Sequence, residues 1–110
     1  MKIKETQAYL ANLLKNISHP RIGAVLGLQE EVGELAKNIM NWEIYDDRDA
    51  DNLGEELADC FFSLIDIANA YKIDLESACN KKLDSIKNKV SGWEDKHADS
   101  LKGKRELFDK

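Results

Sequence analysis

The 110-residue sequence has few residues that break helices, with only one proline and six glycines. Its two cysteines, Cys60 and Cys79, form no CxxC motif, and we expect reduced, buried thiols rather than a disulfide or a metal site. The start has no secretory h-region, and the most apolar run, from 60 to 71, is short and interrupted by Asp66. Acidic residues outnumber basic ones, 21 to 16, which gives a net charge of -5, and the lysines are scattered except for a cluster between 81 and 89. We therefore expect a soluble, cytoplasmic, helical protein that binds no nucleic acid and enters no membrane.

Apolar residues recur every three or four positions in four segments of the chain. This period predicts helices over about 3–16, 20–41, 51–71 and 75–90. Residues 42–52 are predicted to form a loop, with a fraying helix end as the alternative for part of it, because they are rich in turn-prone acids and lack an apolar stripe. The segment after Gly92 is polar and weakly periodic. We expect one all-α domain over 1–110, with a four-helix core over 1–92 and a C-terminal tail over 93–110.

Two similar segments, LQEEVGEL at 28–35 and LGEELADC at 53–60, raise the question of why acids recur beside apolar helix positions. At about 100° per residue, Glu31 and Glu34 lie along one border of the apolar stripe of their helix. Glu56 and Asp59 take the same angles on the next helix. An antiparallel pair of these helices brings the four carboxylates together.

Converging carboxylates repel one another, and a bound divalent cation removes that cost. Oxygen-only ligands suit Mg2+, with Mn2+ as a substitute, and Mg2+ often takes substrate phosphates as further ligands. The pattern therefore indicates hydrolysis of a phosphate ester or phosphoanhydride, in which the metal activates water. Paired acids are also common on solvated helix faces, so the alternative is a non-enzymatic helical oligomerisation module. A di-iron site, suggested by Glu94-x-x-His97, is disfavoured because that fold needs two such motifs.

The order Glu30-Glu31-x-x-Glu34, followed after 21 residues by Glu56-x-x-Asp59, resembles the EExxE…ExxD pattern of the MazG-like nucleoside triphosphate pyrophosphohydrolases. This all-α family is related to the dCTP pyrophosphatases and the dimeric dUTPases. The resemblance implies a MazG-like bundle that hydrolyses a (deoxy)nucleoside triphosphate to the monophosphate and pyrophosphate. It also implies that Mg2+ is held by Glu31, Glu34, Glu56 and Asp59, and that Glu30 has a supporting or water-activating role.

The same resemblance implies substrate contacts and an oligomer. Phosphate contacts are expected from Asn80, Lys82 and, more weakly, Lys87. Base contacts are expected from His19 and Trp42, by similarity to the dCTP-pyrophosphatase branch; alternatively, His19 caps the second helix and Trp42 closes the core. Ser63 stands where that branch has a tyrosine, which leaves the preferred base open. A homodimer or homotetramer is implied by the family and favoured by apolar residues around most of the third helix.

Overall fold

A computed structural model describes residues 2–109, without the side chain of Asp95. These residues form α1 (Ile3–Leu13), α2 (Arg21–Tyr45), α3 (Ala50–Ala70) and α4 (Leu75–Phe108), with no strand inside this range. The predicted all-α class is confirmed. Met1 and Lys110, the ends of the predicted domain, lie outside the described residues. Within that part of the chain, no helix combines the length and apolar character needed to cross a bilayer.

The chain divides into two compact units, one up to Glu76 and one from Ser77 onwards. The first unit contains α1, α2, α3 and the first two residues of α4. The second unit consists of the remainder of α4. The single domain and the four-helix core stay predictions.

The segment predicted as a loop over 42–52 is mostly helical, so that prediction was wrong. Helix α2 continues to Tyr45, and the connection is reduced to residues 46–49. Asp46 ends α2 in the left-handed conformation, with φ of 54°, and accepts a hydrogen bond from Arg48 Nε at 2.6 Å. Asp49 caps α3 by accepting a hydrogen bond from the backbone N–H of Asn52 at 3.0 Å. Asp46 is therefore the C-cap residue of α2 and Asp49 the N-cap residue of α3, and the N-cap is a common position for aspartate.

The first and last helices of the chain, α1 and α4, also differ from their predicted bounds. Helix α1 ends at Leu13, three residues before the predicted end. Helix α4 extends to Phe108, so the segment predicted as a weakly periodic tail is helical up to that residue. Its lysines, glutamate and leucines have high intrinsic helix propensity, which acts without an apolar stripe. An ion pair between Arg105 and Asp109, four residues apart at 3.5 Å, lies at its end.

In the first unit, α3 is the central helix, because it packs against both α2 and α1. Ile65, which has no exposed surface, lies on α3 about 180° from Glu56. Glu56 lies on the side of α3 that faces α2, so Ile65 lies on the opposite side, towards α1.

A polar network joins α1 to the end of α3 and the start of α4. The Gln7 amide nitrogen donates to Asn69 Oδ1 at 3.2 Å and to the Ile73 carbonyl at 2.9 Å. Its amide oxygen accepts from the Leu75 backbone N–H at 3.0 Å. The Asn69 amide in turn donates to the Gln7 carbonyl at 3.0 Å. Gln7 therefore fixes the turn between α3 and α4 to α1.

The apolar core of the described residues is small. Its buried apolar members are Ala24, Ile65 and Ala68. Leu57 and Leu64, which the periodicity of α3 predicts to face inward, remain 52% and 47% exposed.

Both cysteines are free, as expected, but each is half-buried rather than buried.

Candidate functional site

Glu31 of α2 meets α3 because it lies on the line of closest approach between the two helices. The two buried residues of α2, Ala24 and Asn38, lie about 20° on either side of Glu31. Glu31 therefore faces α3 directly. The apolar stripe predicted to fill this seam is displaced to one side, where Val32 and Ile39 remain 49% and 44% exposed.

Three carboxylates converge at this seam. Glu31 of α2 and Glu56 and Asp59 of α3 each offer one oxygen, and the three oxygens lie within 4.8 Å of one another. We call these residues the acidic triplet. Glu31 and Glu56 are half-buried, and Asp59 is exposed. The ion pairs found in the described residues, Arg48 with Asp46 and Arg105 with Asp109, lie away from the triplet.

The electrostatics of the site follow from burial and like charge. Loss of water around the Glu31 carboxyl raises its pKa above the ordinary value. The neighbouring negative charges raise this pKa further, those of Asp59 and Glu56 before those of Glu30 and Glu34. Burial also raises the pKa of the Cys60 thiol, and the three triplet carboxylates add to that increase. The site therefore concentrates negative potential that a cation would neutralise.

Glu34, the fourth predicted ligand, lies outside the triplet. With Glu56 it lines a pocket of about 180 Å³ whose other lining residues are Lys37, Asn38, Asn41 and Asn52. The sequence reasoning missed these four polar residues. Helix angles could have predicted them. Viewed along the helix axis, the four residues lie about 20–120° from Glu31 or Glu56, on the same side as the other acids.

Glu30 is exposed and directly precedes the triplet residue Glu31. Asn80, Lys82 and Lys87 are exposed on α4, in the second unit.

The two predicted base contacts lie at opposite ends of α2. His19 precedes α2, and Trp42 lies 21 residues beyond the first residue of α2. At a rise of 1.5 Å per residue, the two residues are roughly 30 Å apart along the helix axis. One chain therefore does not bring both side chains to the same base. Trp42 is half-buried, and the guanidinium carbon of Arg48 lies 5.8 Å from the centre of its ring.

His19 belongs to a different pocket, of about 340 Å³, which also contains Asp66 and Asn69. Its Nδ1 lies 3.1 Å from the Pro20 carbonyl oxygen. A Cβ atom at Gly23 would lie 3.2 Å from that nitrogen, so the glycine leaves room for the ring. Pro20, rather than His19, is the N-cap residue of α2.

An all-α chain with three carboxylate oxygens between two helices has the donor chemistry of a hard-cation site. The chain belongs to the MazG nucleotide pyrophosphohydrolase domain family, because the model of that family matches residues 22–91, more than half of the chain. Proteins of this family act on nucleoside triphosphates and generally depend on a divalent metal. No curated protein and no solved structure matches the chain. The matched residues include the whole acidic triplet and Trp42, and they leave out His19.

Proposed function

We propose that the protein hydrolyses a (deoxy)nucleoside triphosphate to the monophosphate and pyrophosphate in a reaction that needs Mg2+, with Mn2+ as a substitute. The observation that carries this proposal is the acidic triplet, in which two helices bring three carboxylate oxygens within 4.8 Å of one another. Membership of the MazG family supports the reaction class.

The donor set fits the metal that this reaction class uses. The triplet offers only carboxylate oxygens, the ligands that Mg2+ prefers, and its like charges repel unless a cation is present. We assign Glu31, Glu56 and Asp59 as ligands, with Glu34 as a fourth. A bound ion would supply charge neutralisation and polarise the phosphoryl oxygens of the substrate.

The polar pocket beside the triplet suits the triphosphate. Lys37 supplies a positive charge, and the amides of Asn38, Asn41 and Asn52 supply donors next to Glu34 and Glu56. Such donors bind phosphate oxygens and hold the reacting phosphorus in place. Asn80, Lys82 and Lys87 of α4 remain proposed phosphate contacts.

The attacking water needs a group that accepts its proton. Glu30 stands outside the triplet and is not assigned as a ligand, and a carboxylate that binds no cation keeps its ability to take a proton. We propose Glu30 for this role. As the water oxygen forms its bond to phosphorus, the P–O bond to the leaving pyrophosphate or monophosphate breaks and the water proton passes to the carboxylate.

The base contacts of the proposed enzyme come from separate places. Trp42 offers an aromatic ring for stacking, and stacking accepts any base. Because His19 lies roughly 30 Å away along α2, both residues can contact one base only when they come from different chains. A homodimer or homotetramer, which we also propose, would allow this.

The deciding experiment measures pyrophosphate release from the eight common nucleotides with Mg2+. We expect at least one substrate to be cleaved, and Glu56→Gln to lower kcat/KM by at least about a hundredfold, since it removes a charge needed in the transition state. The matched control is Glu55→Gln, which changes the neighbouring exposed acid and should stay near wild type. Cleavage of none of the eight nucleotides, or equal activity of the two variants, would refute the proposal.

A second measurement separates the enzyme from a helical oligomerisation module. Saturating Mg2+ should raise the melting temperature of the wild type by ligand linkage, and this rise should disappear in Glu56→Gln and persist in Glu55→Gln. A module with a merely solvated acidic face would show no such rise.

A further inference from the structure

The polar pocket beside the acidic triplet contains one buried residue, Asn38 of α2. Its exposed fraction is 7%, whereas Asn41 is half-buried and Asn52 is exposed. All three asparagines line the pocket of about 180 Å³ that Glu34 and Glu56 also line. Asn38 is therefore the residue of this pocket with the least access to bulk water.

The side-chain amide of Asn38 has no hydrogen-bond partner among the described residues. Within the same part of the chain, no fully buried side-chain nitrogen or oxygen lacks a partner. The amide atoms of Asn38 must therefore reach open space, which is the pocket that this residue lines. A buried polar group is rarely left unpaired, because the loss of its water is then uncompensated. The unpaired amide thus points to a ligand that completes its hydrogen bonds.

The chemistry of an amide narrows the kind of ligand. Asn38 offers two N–H donors and one acceptor oxygen, Oδ1. Phosphate oxygens can accept from the two donors, but an ionised phosphate has no hydrogen to donate to Oδ1. A nucleoside triphosphate carries its O–H donors on the sugar and its N–H donors on the base. The partner of Oδ1 therefore belongs to the nucleoside part of the substrate.

Asn38 lies between the two groups that the proposed function places at the ends of the substrate. Glu31, Asn38 and Trp42 share one line of α2, since the two later residues lie within about 20° of Glu31 around the helix axis. Along that axis, Asn38 is about 10 Å beyond Glu31 and about 6 Å before Trp42. With the phosphates on the metal at the triplet and the base on the Trp42 ring, the part of the nucleotide beside Asn38 is the sugar.

We propose that Asn38 Oδ1 accepts a hydrogen bond from a hydroxyl of the substrate sugar, which makes Asn38 the residue that determines sugar specificity. This inference rests on the proposed function and adds a contact that neither the metal nor the base provides. A site built to bond a hydroxyl rejects a substrate that lacks it, because the buried oxygen is then left unpaired. The protein therefore distinguishes nucleotides by their sugar hydroxyls as well as by their bases.

The test uses the base that the wild type cleaves best, supplied as the ribonucleotide, its two monodeoxy forms and its dideoxy form. These substrates share the base and the phosphates, so their kcat/KM values differ through the sugar alone. We expect the wild type to cleave the dideoxy form at least about tenfold less efficiently than the best form, and Asn38→Ala to reduce this ratio to about twofold or less. The two monodeoxy forms identify the hydroxyl that is bound.

Two further variants separate the acceptor from other effects. Asn38→Asp keeps an acceptor oxygen at the same place but loses the N–H donors and adds a negative charge beside Glu34 and Glu56. It should raise KM for every form and preserve the sugar preference. Asn12→Ala changes an exposed asparagine of α1 and should behave as the wild type. Circular dichroism checks the helix content of each variant.

A binding measurement gives a second readout of the same preference. Isothermal titration with non-hydrolysable analogues of the ribonucleotide and the dideoxynucleotide yields the ratio of their dissociation constants, which should follow the ratio of kcat/KM in each variant. The titration also applies to a variant that is too slow to assay.

The outcomes that contradict this inference differ from the failure of the proposed function. Equal cleavage of all four forms by the wild type would mean that Oδ1 bonds no sugar hydroxyl. A sugar preference that Asn38→Ala retains would place the hydroxyl contact elsewhere and leave water as the partner of the amide. Only a wild type that cleaves no nucleotide would remove the proposed function as well.

Discussion

Replacing Gln7 by leucine tests whether the polar network at the end of α3 stabilises the first unit. Leucine is close to glutamine in size but makes none of its three side-chain hydrogen bonds, to Asn69 Oδ1, the Ile73 carbonyl and the Leu75 N–H. An unsatisfied buried polar group costs about 1–3 kcal/mol, and this network is partly buried, so the lower end applies to each group. We expect the free energy of unfolding to fall by about 3 kcal/mol.

The assay is urea unfolding followed by circular dichroism, at one protein concentration so that any self-association contributes equally to each variant. Gln29→Leu is the matched control, since Gln29 is exposed on α2, and its effect should stay within about 0.5 kcal/mol. Gln7→Glu keeps the acceptor for Leu75 but places a carboxylate oxygen against two acceptors, Asn69 Oδ1 and the Ile73 carbonyl, so it should destabilise at least as much as Gln7→Leu. A Gln7→Leu variant as stable as the Gln29→Leu control would refute the reasoning.

Three further predictions concern the site. The pKa of Glu31 is raised in the folded state, so the folded protein binds this proton more tightly than the unfolded chain does. The stability of the metal-free protein should therefore fall as pH rises from about 4.5, the ordinary carboxyl value, through the folded pKa. Glu31→Gln should therefore melt higher than wild type in EDTA at pH 8 and should lose the rise caused by Mg2+; a lower melting point in EDTA would contradict this. Mg2+ at the triplet should lower the raised pKa of Cys60 and speed its alkylation by iodoacetamide at pH 8, measured in a Cys79→Ser background, and an unchanged rate would place the ion elsewhere. Trp42→Ala should raise KM more than it lowers kcat, as expected for a residue that binds substrate and transition state alike, whereas Trp93→Ala is the control; a pure loss of kcat would exclude base stacking.

The sequence predicted the helical class, the family and three of the residues that converge, because these depend on short-range periodicity. Glu31, Glu56 and Asp59 could be placed from helix angles alone, since two helices that pack side by side bring matching angles together. The family resemblance, first drawn from the spacing of these acids, is confirmed by the match over residues 22–91.

The features that the sequence did not predict depend on contacts between segments. Asp46 and Asp49 look like loop residues until the ends of α2 and α3 show that they act as caps. The network of Gln7 joins residues more than 60 positions apart, which no local pattern records. The side of α2 that is buried carries Ala24 and Asn38, and not the line of large apolar residues that the periodicity of α2 predicts to face inward.

The placement of an acidic side and an apolar side on the same two helices has a consequence for insertions and deletions. One residue added inside α3 between Leu53 and Glu56 would rotate everything beyond it by about 100° relative to the start of the helix. Glu56, Leu57 and Asp59 would then turn together relative to Leu53, so a single event would displace the acidic triplet and the apolar side of α3 at once. A residue added within 46–49 would leave the angles within both helices unchanged. Length variation in this chain should therefore be tolerated between α2 and α3 and excluded from the turns of helix that carry the triplet.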